Sequence, residues 1–453
     1  MDGQTAKRKG WSRYLYRVIA AEVSRITRYF DRVIQCAPAD HDPGVLLDAI
    51  DAPEKTVART IEEMPDLSSE RDRRTAVLLN GNFNYHLDIQ GELARLKRKL
   101  SRTSRVVVVA YNPYLRGLYS IADALGLRNS PPTVTFLTRT DLDNVARLAG
   151  YEVVRLRPAG YSPFRLLGAG HLVNWWMPVV PGLRWGAFVT VAVLRPVVRD
   201  ARRPSISIVI PARNEKGNIE NALLRMPHLG AERVEIVFVE GHSKDDTWPE
   251  IQRVAAAYAD RFEIKTMQQT GKGKCDAVRL GFQHCTGEVL TILDADLTMP
   301  PELLGRFYDA YCDGLADFVN GSRLLYPMEG EAMRFLNRLG NVFFAKALSF
   351  VLGNRLSDSL CGTKLVARHD YARFVAWRRD FGDFDPFGDY ELLFPASIFA
   401  LGIVDVPIRY RARTYGSTQI SRFRHGWMLL KMTTSGLCRV RVGPWRLAPR
   451  TSR

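Results

Sequence analysis

Acidic residues are in short supply in this chain. Its 453 residues carry 48 Asp plus Glu against 64 Lys plus Arg, a formal net charge of +16. That balance favours anionic partners such as phosphates, nucleic acid or acidic lipid surfaces, without choosing among them. Cysteine is scarce and scattered: Cys36, Cys275, Cys285, Cys312, Cys361 and Cys438 lie far apart with no CxxC pair. Neither a zinc cage nor a disulfide framework is suggested, and reduced thiols are the expectation. No run reaches the ~20 apolar residues that a membrane-spanning helix needs; the most apolar stretch, 172–198, is interrupted by Pro178, Pro181 and Arg184. The N-terminus is basic but Arg17 breaks its best apolar run, so no secretion signal is read. The expectation is a cytoplasmic protein, with a peripheral contact at the inner face of a membrane left open. A nucleic-acid partner is not expected, because no binding motif accompanies the basic residues.

What is present fits two to three domains, and 46% hydrophobic with 25% charged residues is ordinary globular composition. The arginine-rich stretch 199–203 reads as a linker between a region 1–198 and a second region 204–435, followed by a basic tail 436–453. In the second region, apolar runs at 206–211, 234–239, 262–267 and one ending at Asp294 predict strands. Helices are predicted between them near 216–226, 246–258 and 274–285. Such alternation implies an α/β fold with a mostly parallel sheet, whose ligands bind beyond the carboxyl ends of the strands.

Acids collect at those ends: Glu215 after the first strand, Glu240 after the second, Asp294 and Asp296 after the fourth. Two carboxylates one residue apart share a face of an extended chain and repel unless something positive lies between them. A divalent cation is one solution; a plain turn is the other, with Thr298 in "TMPPE" expected to cap the next helix. Between strands three and four, "TGKGKCDAVRLGF" matches neither a P-loop nor GxGxxG, yet its Lys272 is placed to approach an anion near a helix N-terminus.

The segments "VIPARNEKGNIENAL", "VEIVFVEGHSKDDT", "GKGKCDAVRLGF" and "ILDADLTMPPELL", in this order, resemble the nucleotide-binding half of family 2 glycosyltransferases with the GT-A fold. The likeness is nearest to dolichol-phosphate mannosyltransferase and other polyprenyl-phosphate sugar transferases. The resemblance implies an inverting transfer from a UDP- or GDP-sugar with Mg2+ or Mn2+, Asp294 and Asp296 forming the DXD motif. It implies Asp296 as direct metal ligand and Asp294 on the ribose or a metal-bound water. Pro211, Ala212, Arg213, Glu215 and Glu240 would cradle base and ribose. For the acceptor, expected to be a polyprenyl phosphate, it points to Arg323 in "GSR", and to Asp358 and Lys364 in "DSLCGTK". A soluble or glycan hydroxyl acceptor stays open, and would need a general base, for which Asp389 or Glu391 in "FGDYELLFPA" is the candidate; the same pair also suits a helix N-terminus with no chemistry. In "YRARTYGSTQISRFRHGW", Arg411, Arg413, Arg422 and Arg424 offer guanidiniums, with Arg413 the expected phosphate clamp and Arg411 an acceptor contact.

The region 73–156 reads strand, helix, strand, then a strand near 133, a helix at "DLDNVARLAG" and a strand at "YEVVRLR". It resembles the later half of a class I methyltransferase. The place of the cofactor loop, 33–50, lacks the glycines that let backbone approach S-adenosylmethionine. A degenerate, incomplete methyltransferase-like α/β domain is expected, as a structural or binding module; methyl transfer and a catalytically silent binding protein are the alternative functions.

Overall fold

The computed structural model describes residues 10–38, 45–125, 133–180, 182–327, 335–381, 388–411, 413, 415 and 422–442. It forms two compact units, residues 1–198 with 438–453, and residues 199–437. Among the described residues no helix is long and apolar enough to cross a membrane.

In the first unit the strands are β1 Arg32–Cys36, β2 Lys55–Ala58, β3 Thr75–Asn80, β4 Arg105–Tyr111, β5 Tyr151–Ala159 and β6 Val189–Pro196. Their order is β2-β1-β3-β4-β6-β5. The first four are parallel, and β6 runs antiparallel between β4 and β5. The composition explains the centre: "TAVLLN" and "VVVVA" are apolar on both faces, as a sheet covered on both sides requires. Helices Ile89–Lys97 and Arg139–Leu148 are started by Asp88, which accepts from the Gly91 amide, and by a Thr138–Asp141 capping box. Leu93, Val77, Val108, Ala146 and Leu194 meet in the core beneath them. One expectation is corrected. No strand forms near 133: the Val134 amide donates to the Asn84 carbonyl at 2.8 Å in a loop. The apolar stretch 172–198 contains β6, a buried strand. The segment 438–442 belongs to this unit, where Arg157 donates to the carbonyls of Val440 (3.2 Å) and Arg441 (2.6 Å). The remaining tail, 443–453, lies outside the described residues.

The second unit is built on β7 Ile206–Ala212, β8 Val234–Glu240, β9 Glu263–Gln268, β10 Val289–Ile292, β11 Phe318–Ser322, β12 Lys364–Ala367 and β13 Ile403–Pro407. The sheet order is β13-β11-β12-β10-β7-β8-β9. Strands β7 to β10 are parallel, and β12 is antiparallel to both β10 and β11. This is a mixed α/β architecture dominated by parallel pairing, with Ile208, Ile210, Phe238, Leu293 and Phe307 in its core. The order β10-β7-β8 brings the carboxyl ends of three strands side by side. On helix Phe335–Leu352, Leu348 is buried, whereas Leu339 and Phe343 are exposed.

At the opposite, amino ends, Glu235 is buried in β8. It accepts from the Thr286 amide (2.9 Å), the Thr286 hydroxyl (3.0 Å) and the Ser207 hydroxyl, and pairs with Lys265 at 2.5 Å. Burial works against its charge, but Lys265 and the hydroxyl and amide donors win, and its pKa is lowered to about 2. A folded value below the unfolded one gives stability that is complete above the ordinary glutamate range and is lost as pH falls toward 2. Glu235→Gln is therefore expected to cost about 2–3 kcal/mol at pH 7 and distinctly less at pH 3, measured by urea unfolding at both pH values.

Candidate active site

Strand β7 ends at Ala212, and the chain turns through Asn214, whose φ of 55° lies in the left-handed region that asparagine tolerates. The turn is locked to the loop after β8: the Asn214 amide donates to Ser243 Oγ (2.9 Å), and the Lys244 amide donates to Asn214 Oδ1 (2.7 Å). This holds Glu215 inward, its amide donating to Thr247 Oγ1 (2.9 Å) and its Oε2 accepting from Asn218 Nδ2 (2.7 Å). Burial pushes the Glu215 pKa up to about 7; Asn218 opposes the rise, the Asp296 charge adds to it, and Arg413 opposes it.

Glu240, at the end of β8, is buried, and both its oxygens are engaged by the protein: Oε1 accepts from the Ser243 amide (2.5 Å) and Oε2 from Gln268 Nε2 (3.0 Å). Burial would raise its pKa, but these donors hold it low. Beside it Gln269 is buried, with its Oε1 lacking a hydrogen-bond partner among the described residues. Its amide nitrogen lies 3.2 Å from where a Cβ on Gly241 would be. Sequence reasoning passed over Gln269; its signal was a polar residue directly beyond the third strand. Pro211 and Ala212 close β7, with Ala212 buried and Arg213 exposed.

The fourth strand delivers the paired acids. Leu293 still pairs with β7, its amide donating to the Val209 carbonyl at 2.9 Å, and the chain then turns back with Leu297 at φ 52° and its amide on the Asp294 carbonyl (3.1 Å). Asp294 forms an ion pair with Lys274 Nζ. Asp296 Oδ2 pairs with Arg413 Nη2 at 2.7 Å, while Oδ1 accepts from the Thr298 amide (3.1 Å) and hydroxyl (2.8 Å). Each acid thus has its own cation, which removes the repulsion between them. Thr298 does not cap the next helix as expected. Its hydroxyl is spent on Asp296, and the helical turn begins at Pro301 without a side-chain cap.

Lys274 stands in the first turn of the helix Lys274–His284. Burial disfavours its charge, but Asp294 and Asp389 outweigh that and raise its pKa. Lys272, the lysine singled out from the sequence, is exposed on the turn before this helix. The residue at the carboxylates is two positions further on, where the helix rather than the loop aims it. Gly362, from the "DSLCGTK" loop, completes the corner: a Cβ there would meet Lys274 Nζ and Asp294 Oδ2, so a larger residue would have to push that ion pair aside.

The acceptor-side candidates pair with one another. Arg323 donates to Asp358 through Nε (2.7 Å) and Nη2 (2.9 Å), and Asp358 is fully buried. Its burial would raise the pKa, but Arg323 holds it low. Lys364, also buried, donates to Asp389 Oδ1 at 2.8 Å and to the Cys361 carbonyl. Glu391 is gripped by Arg279 Nη2 (2.5 Å) and Arg378 Nη1 (2.5 Å). These contacts leave both general-base candidates, Asp389 and Glu391, ion-paired to cations of the protein. They likewise make Arg323, Asp358 and Lys364 internal ion pairs in this structure. Arg411 is exposed, and its amide donates to the Thr298 carbonyl at 2.9 Å, tying it to the turn after β10. The side chains of Arg422 and Arg424 lie outside the described residues.

Comparison with known proteins identifies the family. A family model described as glycosyl transferase family 2 matches residues 207–373. The chain is 30% identical, over 221 residues, to the dolichyl-phosphate hexose transferase of Haloferax volcanii, an alignment covering 49% of this chain and 89% of that protein. The chain belongs to glycosyltransferase family 2. This family 2 glycosyltransferase is also 33% identical over 136 residues to the dolichol-phosphate mannosyltransferase of Pyrococcus furiosus, covering 30% of this chain and 37% of the relative. Among solved structures, glucosyl-3-phosphoglycerate synthase from Mycobacterium tuberculosis in complex with Mn2+, UDP and glucosyl-3-phosphoglycerate aligns with a TM-score of 0.37 and 17% identity, over 52% of this chain and 80% of that one.

Two outcomes are expected of the glycosyltransferase's site. In carboxyl-carbon NMR of the donor-free protein, a resonance titrating near pH 7 disappears in Glu215→Gln and moves to higher pH in Arg413→Ala, since Arg413 opposes the upward shift. Asp358→Leu alone strands the buried Arg323 charge and costs about 3–5 kcal/mol, whereas Arg323→Met with Asp358→Leu recovers most of the loss in thermal or urea unfolding.

Proposed function

We propose that the second unit is a GT-A glycosyltransferase that moves a sugar, with inversion, from a UDP- or GDP-sugar to a polyprenyl phosphate. The observation that carries this reading is the corner at the end of β10, where Asp294 and Asp296 face out of the sheet, each matched by a separate cation, Lys274 and Arg413. Among the described residues no group of three or more His, Cys, Asp or Glu is arranged to hold a metal. Two carboxylates nonetheless fit a hard divalent cation such as Mg2+ or Mn2+ that takes its other oxygens from a diphosphate and water. Such an ion supplies positive charge to the leaving diphosphate without a proton. Arg413, released from Asp296, has the fork geometry to clamp phosphate oxygens, and Lys274 adds a point charge. Glu215, buried beyond β7, is positioned to accept from a ribose hydroxyl, and Gln269 offers an unpartnered acceptor to a base.

The pairing of Asp389 with Lys364, and of Glu391 with Arg279 and Arg378, favours an acceptor that is already anionic over a hydroxyl that must lose a proton. A polyprenyl phosphate is such an acceptor, and the names of the relatives above include that class. Exposed Leu339 and Phe343, with Trp427 on the helix Arg422–Gly436 that packs against theirs, supply apolar surface for a lipid tail and for peripheral contact with a bilayer. For the first unit, a methyltransferase-like module is the reading we infer. A parallel sheet with an antiparallel last strand set inside its edge supports it, and the glycine-poor loop after β1 favours a structural role over methyl transfer.

The test is transfer from UDP- and GDP-sugars to undecaprenyl or dolichyl phosphate with Mn2+. Asp296→Ala is expected to lower the rate by at least about 100-fold, with thermal unfolding verifying that the variant is folded. Retention of most activity in that variant, or indifference to chelation, would overturn the assignment.

A further inference from the structure

One surface of the first unit is built inside out. Helix Ala169–Trp176 buries a single residue, Gly170, and turns Leu172 and Trp176 outward. Its polar Asn174 faces the protein instead: Oδ1 accepts from the amides of Tyr161 (2.6 Å) and Ser162 (3.0 Å), and Nδ2 donates to the Ser162 carbonyl (2.9 Å). A helix on a water-facing surface is arranged the other way round. Nor can this one roll over, because a Cβ at Gly170 would strike the Phe164 carbonyl oxygen, so the preceding turn is packed directly on its backbone.

That turn carries the second sign. Leu166 and Leu167 have φ of 44° and 53°, a left-handed conformation that leucine adopts at a cost in energy. The strain buys no burial: Leu166 is 63% exposed and Leu167 fully so. Further along, Val180 and Trp185 are exposed, and Trp185 is fixed in place by Asn112 Nδ2, which donates to its carbonyl at 2.9 Å. Apolar side chains projected from a turn and helix fastened by Asn174 and Gly170, with tryptophans at the flank, suit the boundary between headgroups and acyl chains. Charge says which surface. Residues 153–199 contain no Asp or Glu, in a chain whose net charge is +16; Arg155, Arg157 and Arg195 are turned inward onto Glu22 and Glu152, and Arg165, within the turn itself, is exposed. An anionic surface is complementary to it, and a second copy of the same chain is not.

We propose that the segment Phe164–Trp185 is a membrane-surface anchor that places Leu166, Leu167, Leu172 and Trp176 among the lipids of an anionic bilayer. It rests on the peripheral reading given above and sharpens it to one turn and helix, while requiring nothing of the acceptor's identity. The full chain is sedimented with vesicles of phosphatidylcholine alone or mixed equally with phosphatidylglycerol. It is expected to pellet with the mixed vesicles, and at least about tenfold more weakly with the neutral ones. Leu167→Asn with Trp176→Gln is expected to weaken pelleting on mixed vesicles at least about tenfold; asparagine accepts the left-handed backbone, so the turn is kept. Tryptophan fluorescence of the unaltered protein, quenched by lipids brominated on their acyl chains, supports insertion without any substitution. Three results would overturn the anchor: no pelleting of the unaltered chain, undiminished pelleting of a folded variant, or a dimer in solution that the substitutions dissolve. Sugar transfer to a short-chain, water-soluble polyprenyl phosphate separates the two readings. Its persistence in a variant that no longer pellets supports the anchor as a distinct surface, and its absence from a chain that does pellet overturns the proposed reaction alone.

Discussion

Charge matching between Asp294 and Asp296 and two basic side chains is the constraint around which the second unit is arranged. Like charges at the end of one strand cannot be left facing each other at a partly dry sheet edge. The solution draws on distant parts of the chain: Lys274 from the helix after β9, Arg413 from beyond β13. Each dictates something further. Lys274 emerges from a helical first turn to reach Asp294, and Gly362 packs directly on the pair. Arg413 must lie across the sheet end. The segment that carries it is accordingly fastened nearby, by the Arg411 amide on the Thr298 carbonyl and by Tyr415 on Asp245 at 3.2 Å.

Around that corner lies a layer of internal ion pairs that differ from it in burial and therefore in kind. Asp358 with Arg323, and Asp389 with Lys364, are removed from water and matched one to one. Breaking such pairs is expensive and keeping them adds little net stability, so what they offer is fixed geometry. They hold the "DSLCGTK" loop and the start of helix Asp389–Ile398 in register beside Lys274. The Asp294 and Asp296 pairs retain partial exposure on the cationic side. Exchange of a carboxylate for a phosphate at Lys274 or Arg413 costs less desolvation there than it would at Arg323.

Much of this was legible in the sequence and some was not, for reasons that differ residue by residue. The alternating strands and helices of 204–300 stood out because apolar runs of strand length were separated by turn residues, and the acids at their ends followed from that. Periodicity could not show that Asp358 would take Arg323, 35 residues away, as its partner, or that Lys364 would take Asp389. A basic and an acidic residue near a site look equally available for substrate until the fold joins them. That Lys274 rather than Lys272 pairs with Asp294 follows from helix phase, since the first turn begins between them. In the first unit, β6 was concealed because a buried central strand and a membrane-like stretch have the same composition.

The sheet end is covered in part by chain from beyond β13. Arg413 and Tyr415 reach different strands: Arg413 contacts Asp296 beyond β10, and Tyr415 contacts Asp245 beyond β8 and packs where a Cβ on Gly217, beyond β7, would stand. A short stretch of chain therefore touches all three strand ends on which the proposed donor site depends. Among its described residues, Tyr415 and Arg413 are both exposed in part. Arg413 acts on two carboxylates of the site, through a direct ion pair with Asp296 and through its field on Glu215. Whatever takes Arg413 from the first therefore also acts on the second, a coupling that follows from where a single guanidinium sits.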